Sequence, residues 1–329
     1  HIFKLQENLV VSNLRGWFIY EPAVRQLLPI SRRYPALQPL DKEVINSMAL
    51  MGDSLVAIST ESQAGVYIWN KRKNRLDKLK MDSGSLKNTI INTLCLDKKG
   101  RLWVLFDNCI GAVDLATLSL RRFQLTDPEV QLPLAILLDL CEWRGDFWLA
   151  VYGKGIVQTD RQFRIKKTYG LSEGLSNTGV YKLIPYGDSL LFATTNNGLF
   201  ALDRVSQTIR RFGKSNGLNT NNFEERTATA RGPVFYVGGV EGFTRVGPRY
   251  LKLPTETPRL YIHQVEMERE DKATDTFHLR LRNVKVPNTV LQTTIRFTAL
   301  NFSHPNRTTF AYRIRELQES GYGHYPVCV

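Results

Sequence analysis

The stretch Asp97-Lys98-Lys99-Gly100-Arg101-Leu102-Trp103-Val104 sets a glycine-closed polar turn directly before an apolar run. The chain repeats this arrangement. Gly145-Asp146-Phe147-Trp148-Leu149, Gly187-Asp188-Ser189-Leu190-Leu191-Phe192-Ala193 and Gly232-Pro233-Val234-Phe235-Tyr236-Val237 follow it. Asn8-Leu9-Val10-Val11 and Gly52-Asp53-Ser54-Leu55-Val56-Ala57 precede it. Anchored on Val10, Val56, Trp103, Trp148, Phe192 and Tyr236, the units are spaced by 46, 47, 45, 44 and 44 residues. A second landmark lies six to nine residues after each anchor, a glycine before a short apolar run: Gly16, Gly65, Gly111, Gly155, Gly198 and Gly242. Asp, Asn or Tyr and a polar turn then lead to basic-aromatic segments such as Arg121-Arg122-Phe123, Lys166-Lys167-Thr168-Tyr169 and Arg210-Arg211-Phe212.

Each unit reads as four short strands. Residues 44–50, 91–96, 136–141, 180–184 and 226–230 form the innermost ones, and the anchors, the glycine runs and the basic segments supply the other three. Their Val, Ile, Phe, Tyr and Trp content suits half-buried pleated positions. No stretch here has both helical periodicity and helical length. Four strands per period of about 40–50 residues define a propeller blade, whose sheet buries both faces only by stacking on neighbours around an axis. The expected fold is all-β, and residues 1–253 read as a β-propeller with six recognisable four-stranded blades and a seventh left open. The aromatic anchors are expected to be core residues.

Composition agrees. Of 329 residues, 43% are hydrophobic and 23% charged, which excludes disorder and collagen. Four cysteines are too few for a disulfide scaffold. The longest apolar run, Leu134–Leu140, carries Asp139 and is far short of the roughly 20 residues of a membrane helix. The chain opens in mid-pattern at His1-Ile2-Phe3, which suggests a fragment or a processed form. The net charge of +13 sits mostly in residues 1–254, with 34 basic and 23 acidic side chains. It admits an anionic polysaccharide, nucleic acid or a membrane surface as partner. Basic residues on outer strands also block edge-to-edge pairing, and that reading is preferred for most of them.

The repeat resembles the two-component regulator propeller repeat. Ser83–Asn92 before Asp97–Val104 matches its spacer, inner strand and Asp-x-x-Gly-x-Leu-Trp element, as do Glu173-Gly174-Leu175-Ser176-Asn177 and Asn216-Gly217-Leu218-Asn219. Ala193-Thr194-Thr195-Asn196-Asn197-Gly198-Leu199 is similar to its Gly-Thr-x-x-Gly-Leu element, whereas Leu105-Phe106 and Val151-Tyr152 depart from it. Phe235–Phe243 resembles a closing repeat. Pro258–Ile262, Leu291–Ser303, Thr309–Ile314 and Gly323–Val329 resemble the triple-tyrosine domain that follows such propellers, which implies an Ig-like β-sandwich over residues 254–329. The resemblance implies the periplasmic sensor region of a Bacteroidetes hybrid two-component system, within an inner-membrane protein whose C-terminal membrane helix is missing here. It implies an oligosaccharide ligand, with an acidic glycan preferred from the charge balance. It also implies a homodimer, no nucleic-acid partner for this fragment, and control of glycan-utilisation genes through a histidine kinase outside it. The competing readings are a propeller sensor with a DNA-binding output, a propeller polysaccharide lyase or glycosidase, and a protein-protein scaffold.

No catalytic set, metal-ligand spacing or cofactor motif is visible. The five histidines are scattered, and no phosphate or dinucleotide loop occurs. Cys95 and Cys141 fall at similar inner-strand positions and are expected to be buried free thiols, with a disulfide as the alternative. Sugar recognition needs flat aromatic surfaces with amide or basic donors, and Arg grips a carboxylate or sulfate bidentately. The loop candidates are Trp143, Arg144, Tyr152, Lys154, Asn177, Tyr181, Asn196 and Asn197, with Asn108 and Glu241 beside them. Trp143 leads them, because neighbouring units have Lys98-Lys99 or Tyr186 in the corresponding turn.

Overall fold

The computed structural model describes residues 2–5, 7–61, 65–80, 90–107, 109–125, 136–232, 234–247, 259–278 and 286–299. The chain divides into two compact units, His1–Pro248 and Arg249–Val329. The first is a β-propeller of six antiparallel sheets, each with its strands in sequence order from the axis outward. Five sheets have four strands, and the sixth has three among the described residues. In the second unit the described residues form one three-stranded antiparallel sheet, with Leu260–Arg269 between Thr274–His278 and Val290–Ala299. The strand read at Thr309–Ile314 and the segment 323–329 lie outside the described residues, as do Asn108 and residues 83–89 of the stretch Ser83–Asn92. Among the described residues no helix is long and apolar enough to cross a membrane.

Five of the six anchors are core, and Tyr236 is half-buried beside the buried Phe235. Trp103, Trp148 and Phe192 are 2% exposed or less. They knit the sheets together. Trp103 packs edge-on against Phe147 and Phe163 of the next blade, at 5.2 and 5.1 Å between ring centroids, and Phe192 meets Phe235 of the sixth blade at 5.0 Å. The basic segments lie on outer strands (Ser119–Gln124, Ile165–Tyr169, Ile209–Phe212), where Arg121, Arg122, Lys166, Lys167, Arg210 and Arg211 are exposed along the sheet edge.

Both landmarks have backbone causes. Asp97 accepts from the turn amides of Lys99 and Arg101 at 2.9 Å each, and its other oxygen accepts from Arg101 Nε and the Trp103 indole at 2.6 and 3.1 Å. The landmark glycines turn the second strand into the third. Gly155 has φ +99° and Gly198 φ +109°, and a Cβ there would stand 2.3 Å from the Tyr169 carbonyl oxygen and 2.7 Å from that of Phe212. Only glycine meets both demands. Gly111 differs. It lies inside the strand Cys109–Asp114, where a Cβ would collide with the Leu120 side chain.

Candidate functional site

The six inner strands enclose a central cavity of about 680 Å³. Its polar lining recurs at the blade period: Ser47, Thr93, Asp139, Lys182 and Arg226, nine or ten residues before the anchors Val56, Trp103, Trp148, Phe192 and Tyr236. A break in pairing register marks the inner strands of the second to sixth blades here. It falls between Ile45 and Ser47, Leu137 and Asp139, Val180 and Lys182, and Phe223 and Ala228, and in the third blade opposite Leu105/Phe106. Such bulges leave one residue unpaired and re-aim side chains, which is why they gather at barrel rims and sites. Here they turn adjacent residues, such as Asn46 with Ser47 and Tyr181 with Lys182, toward one cavity.

The lining is cross-linked between blades. Ser47 accepts from the Leu94 amide at 3.1 Å and lies 3.2 Å from the Thr93 hydroxyl. At the equivalent register Asp139 accepts from the Leu183 amide at 2.8 Å and from Lys182 Nζ at 2.7 Å. The Asp139 side chain is 1% exposed and that of Lys182 34%. Burial works against the Lys182 charge, but the Asp139 carboxylate outweighs it and raises the lysine above its ordinary value. Cys95 donates to Asp139 from behind, and burial, reinforced by that carboxylate, pushes its thiol up to about 12. Cys95, Cys109 and Cys141 are free thiols. Arg226, at φ +59° in the widest bulge, reaches from the sixth blade to Asn46 of the second, with Nη1 2.5 Å from Oδ1. Burial lowers Arg226, while Glu225 and Glu61 oppose the shift. Lys182 and Arg226 are thus balanced in the lining by Asp139 and Glu225.

Antiparallel order divides the sequence candidates between the two ends of the propeller. The turns after second strands share one end with the connections that enter inner strands. Tyr152, Lys154, Asn177, Asn196 and Asn197 lie there, and so does Tyr181 at the start of its strand. The cavity lining sits near the same strand starts. Tyr152 is 47% exposed beside the Asn177–Gly179 turn, and Gly153 donates to the Thr178 carbonyl. Burial raises the Tyr181 phenol, helped by Tyr152, Glu225 and Glu224. Asn177 accepts from the Gly179 amide, and Asn197 ties Ser176 to Arg211, so both amides also shape loops. Asn196 is exposed, and Glu241 pairs with Lys214.

Trp143 and Arg144 are at the opposite end. Trp143 is a strand residue, because Arg144-Gly145 forms a two-residue hairpin turn with both φ positive, 55° and 89°. Its ring is 2% exposed, and its indole donates to the Gly187 carbonyl at 3.0 Å. It is therefore packing between blades, not an open platform. Sequence reasoning missed the lining residues Ser47, Thr93, Asp139, Lys182 and Arg226. Their signal was a polar residue recurring at the repeat period inside strands that are otherwise apolar. Among the described residues no group of His, Cys, Asp or Glu is arranged to hold a metal ion.

No family model matches the chain, and no curated protein matches it in sequence. Solved structures match its fold. The extracellular domain of BT3049 from B. thetaiotaomicron, assigned to a hybrid two component system, superposes on 98% of this chain with a TM-score of 0.69 and 18% identity. The extracellular domain of BT4673 from the same organism superposes on 83% and 86% of it in two structures, ascribed to a one component and a hybrid two component system. Both comparisons give a TM-score of 0.54 and 13% identity. The chain has the fold of these extracellular domains and spans 44%, 42% and 49% of their lengths, under half in each case.

Proposed function

We propose that this chain belongs to the periplasmic sensor region of a hybrid two-component system and that it binds an oligosaccharide at the cavity mouth formed by the inner-strand starts. The observation that carries the ligand reading is the lining itself: hydroxyls, an amide, the Tyr181 phenol and paired charges from successive blades, with the half-exposed Tyr152 in a turn at the same end. A hydroxyl-rich ligand matches alternating donors and acceptors, with a tyrosine face for a sugar ring. The fold match over 98% of the chain supports the sensor reading. The net charge of the whole chain favours an acidic glycan. The cavity carries balanced charges, and the reading at this mouth is a neutral oligosaccharide.

In this reading the chain has no turnover of its own. It acts in a homodimer anchored by a C-terminal membrane helix, and a kinase outside the chain controls glycan-utilisation genes. Ligand binding signals only through a difference in affinity between two arrangements of the dimer. The test is a thermal-shift screen against neutral and acidic oligosaccharides. A ligand at 100 times its dissociation constant stabilises by about 2.7 kcal/mol, which raises Tm by roughly 5–10 °C for a unit of this size. Tyr181→Ala should remove the shift. No shift with any oligosaccharide sinks the ligand reading, and shortened products in the same mixtures replace it with an enzyme.

A further inference from the structure

A second cavity, of about 180 Å³, lies between the fourth and fifth blades and is built around the hairpin end that holds Arg144. Beneath it lie aromatic side chains that are 2% exposed or less. Trp148 lies 5.3 Å from Trp143 and 5.8 Å from the nearly parallel ring of Tyr169. Its rim is cationic: Arg144, Lys167 and Arg204 stand against the single carboxylate of Asp146. That carboxylate is already engaged by Lys166 Nζ at 2.5 Å and Gln158 Nε2 at 2.7 Å.

The two rim guanidiniums are held loosely, while the Lys167 ammonium lies 4.7 Å over the Tyr169 ring. Arg144 pairs at 3.1 Å with Asp188, whose side chain is 82% exposed, a contact of little worth in water. Arg204 Nε reaches the Asp188 carbonyl at 3.4 Å, a long contact. Lys167 donates to Gln207, which also accepts from the Tyr169 hydroxyl. Two guanidinium forks and an ammonium thus converge on a space large enough for one charged group and a small ring. Guanidinium forks match carboxylate and sulfate geometry.

We propose that this cleft is an oxyanion site for a carboxylate- or sulfate-bearing ligand of monosaccharide size, separate from the central cavity and independent of the sensor reading. The test titrates the protein at fixed ionic strength with sodium glucuronate, sodium sulfate and glucose. It follows tryptophan emission, because Trp143 and Trp148 are packed directly beneath the cleft. A saturable change is expected with glucuronate at about 1–10 mM, the range for so small a ligand with screened charges, and none with glucose. Saturation by sulfate as well marks a bare oxyanion site. Saturation by glucuronate alone marks an acid-sugar site. Arg204→Ala should weaken binding about tenfold or more, a loss equivalent to about 1.4 kcal/mol, while Arg210→Ala, an exposed charge on the outer strand, and Tyr181→Ala in the central cavity should leave it unchanged. Far-UV spectra and Tm of each variant check that the fold is retained. The proposal is overturned by no saturation with either anion, by an equal response to glucose, or by binding that Arg204→Ala leaves intact in a folded protein.

Discussion

Replacing Asp97 with alanine tests whether the repeat motif is a hydrogen-bonding device. The Asp97 side chain is fully buried and accepts four hydrogen bonds. They differ in worth. Turn amides freed at Lys99 and Arg101 can turn to water, and the Arg101 side chain is 50% exposed, so each of these costs about 0.5 kcal/mol. The Trp103 indole N–H is enclosed, and leaving it unmatched costs about 1–3 kcal/mol. Asp97→Ala should therefore destabilise the propeller by about 3 kcal/mol, a fall in Tm of roughly 6–12 °C. Asp97→Asn keeps one acceptor oxygen and should cost about half as much. Burial would raise the Asp97 carboxyl, but its N–H donors outweigh burial and hold it below the usual carboxylate range. Its stabilisation is thus present above the ordinary aspartate value and is lost as pH falls through the folded value. The gap between wild type and Asp97→Ala should narrow on the acid side. Urea unfolding followed by circular dichroism, with Trp103→Phe as partner in a double-mutant cycle, measures each quantity. The reasoning fails if Asp97→Ala lies within about 0.5 kcal/mol of wild type, or if the cycle shows coupling below about 0.5 kcal/mol.

Gly155→Ala combines a left-handed φ with a 2.3 Å approach to a carbonyl oxygen, and should cost at least about 2 kcal/mol by urea unfolding. Asp139→Ala strands the Lys182 ammonium and the Leu183 amide. Breaking a fully buried pair costs about 3–5 kcal/mol, and channel water around the partly exposed lysine reduces this to about 2–4. Because the folded Lys182 value is raised, the pair's contribution is complete below the ordinary lysine value and is lost only as pH climbs through the folded one. The Asp139→Ala deficit should therefore stay level from about pH 6 to 9 by thermal melts. Cys95 and Cys141, both raised by burial, should resist a thiol reagent at neutral pH in the native protein, and all four cysteines should react in denaturant without reductant.

The propeller was legible because its landmarks obey backbone rules that act within a few residues. Asp97 must precede its turn, and Gly155 and Gly198 must sit where no Cβ fits. Boundaries were less legible. The inner strand read as 136–141 runs Leu137–Trp143, because the Arg144-Gly145 turn is shorter than the loop inferred there. That difference of two residues moves Trp143 from solvent into packing. The channel residues were hidden for another reason. They depend on bulges, which shift the pairing register without changing apolar content. In the fifth inner strand, Tyr181 and Lys182 both enter the lining because the register breaks between Val180 and Lys182.

The same architecture separates the residues that hold a blade from those that could read a ligand. The register position occupied by Ser47, Thr93, Asp139, Lys182 and Arg226 carries two hydroxyls, a carboxylate, an ammonium and a guanidinium on one backbone plan. The blade contacts that tolerate this variety are elsewhere, in Trp103, Trp148 and Phe192 and in the turn carboxylates. Yet the positions are not independent. Ser47 binds the amide of the next blade and so does Asp139, and Asp139 also neutralises Lys182. A change of ligand chemistry at Lys182 therefore has to be matched at Asp139, whereas Thr93 and Arg226 can change with less cost to neighbouring blades. Arg226 is the telling case. Its guanidinium is held at neutral Asn46 across the channel, so it keeps donors for a ligand at a point where the backbone itself is in a left-handed conformation. Such backbone is stable only where the surroundings over-determine it, and it gathers at sites that bind.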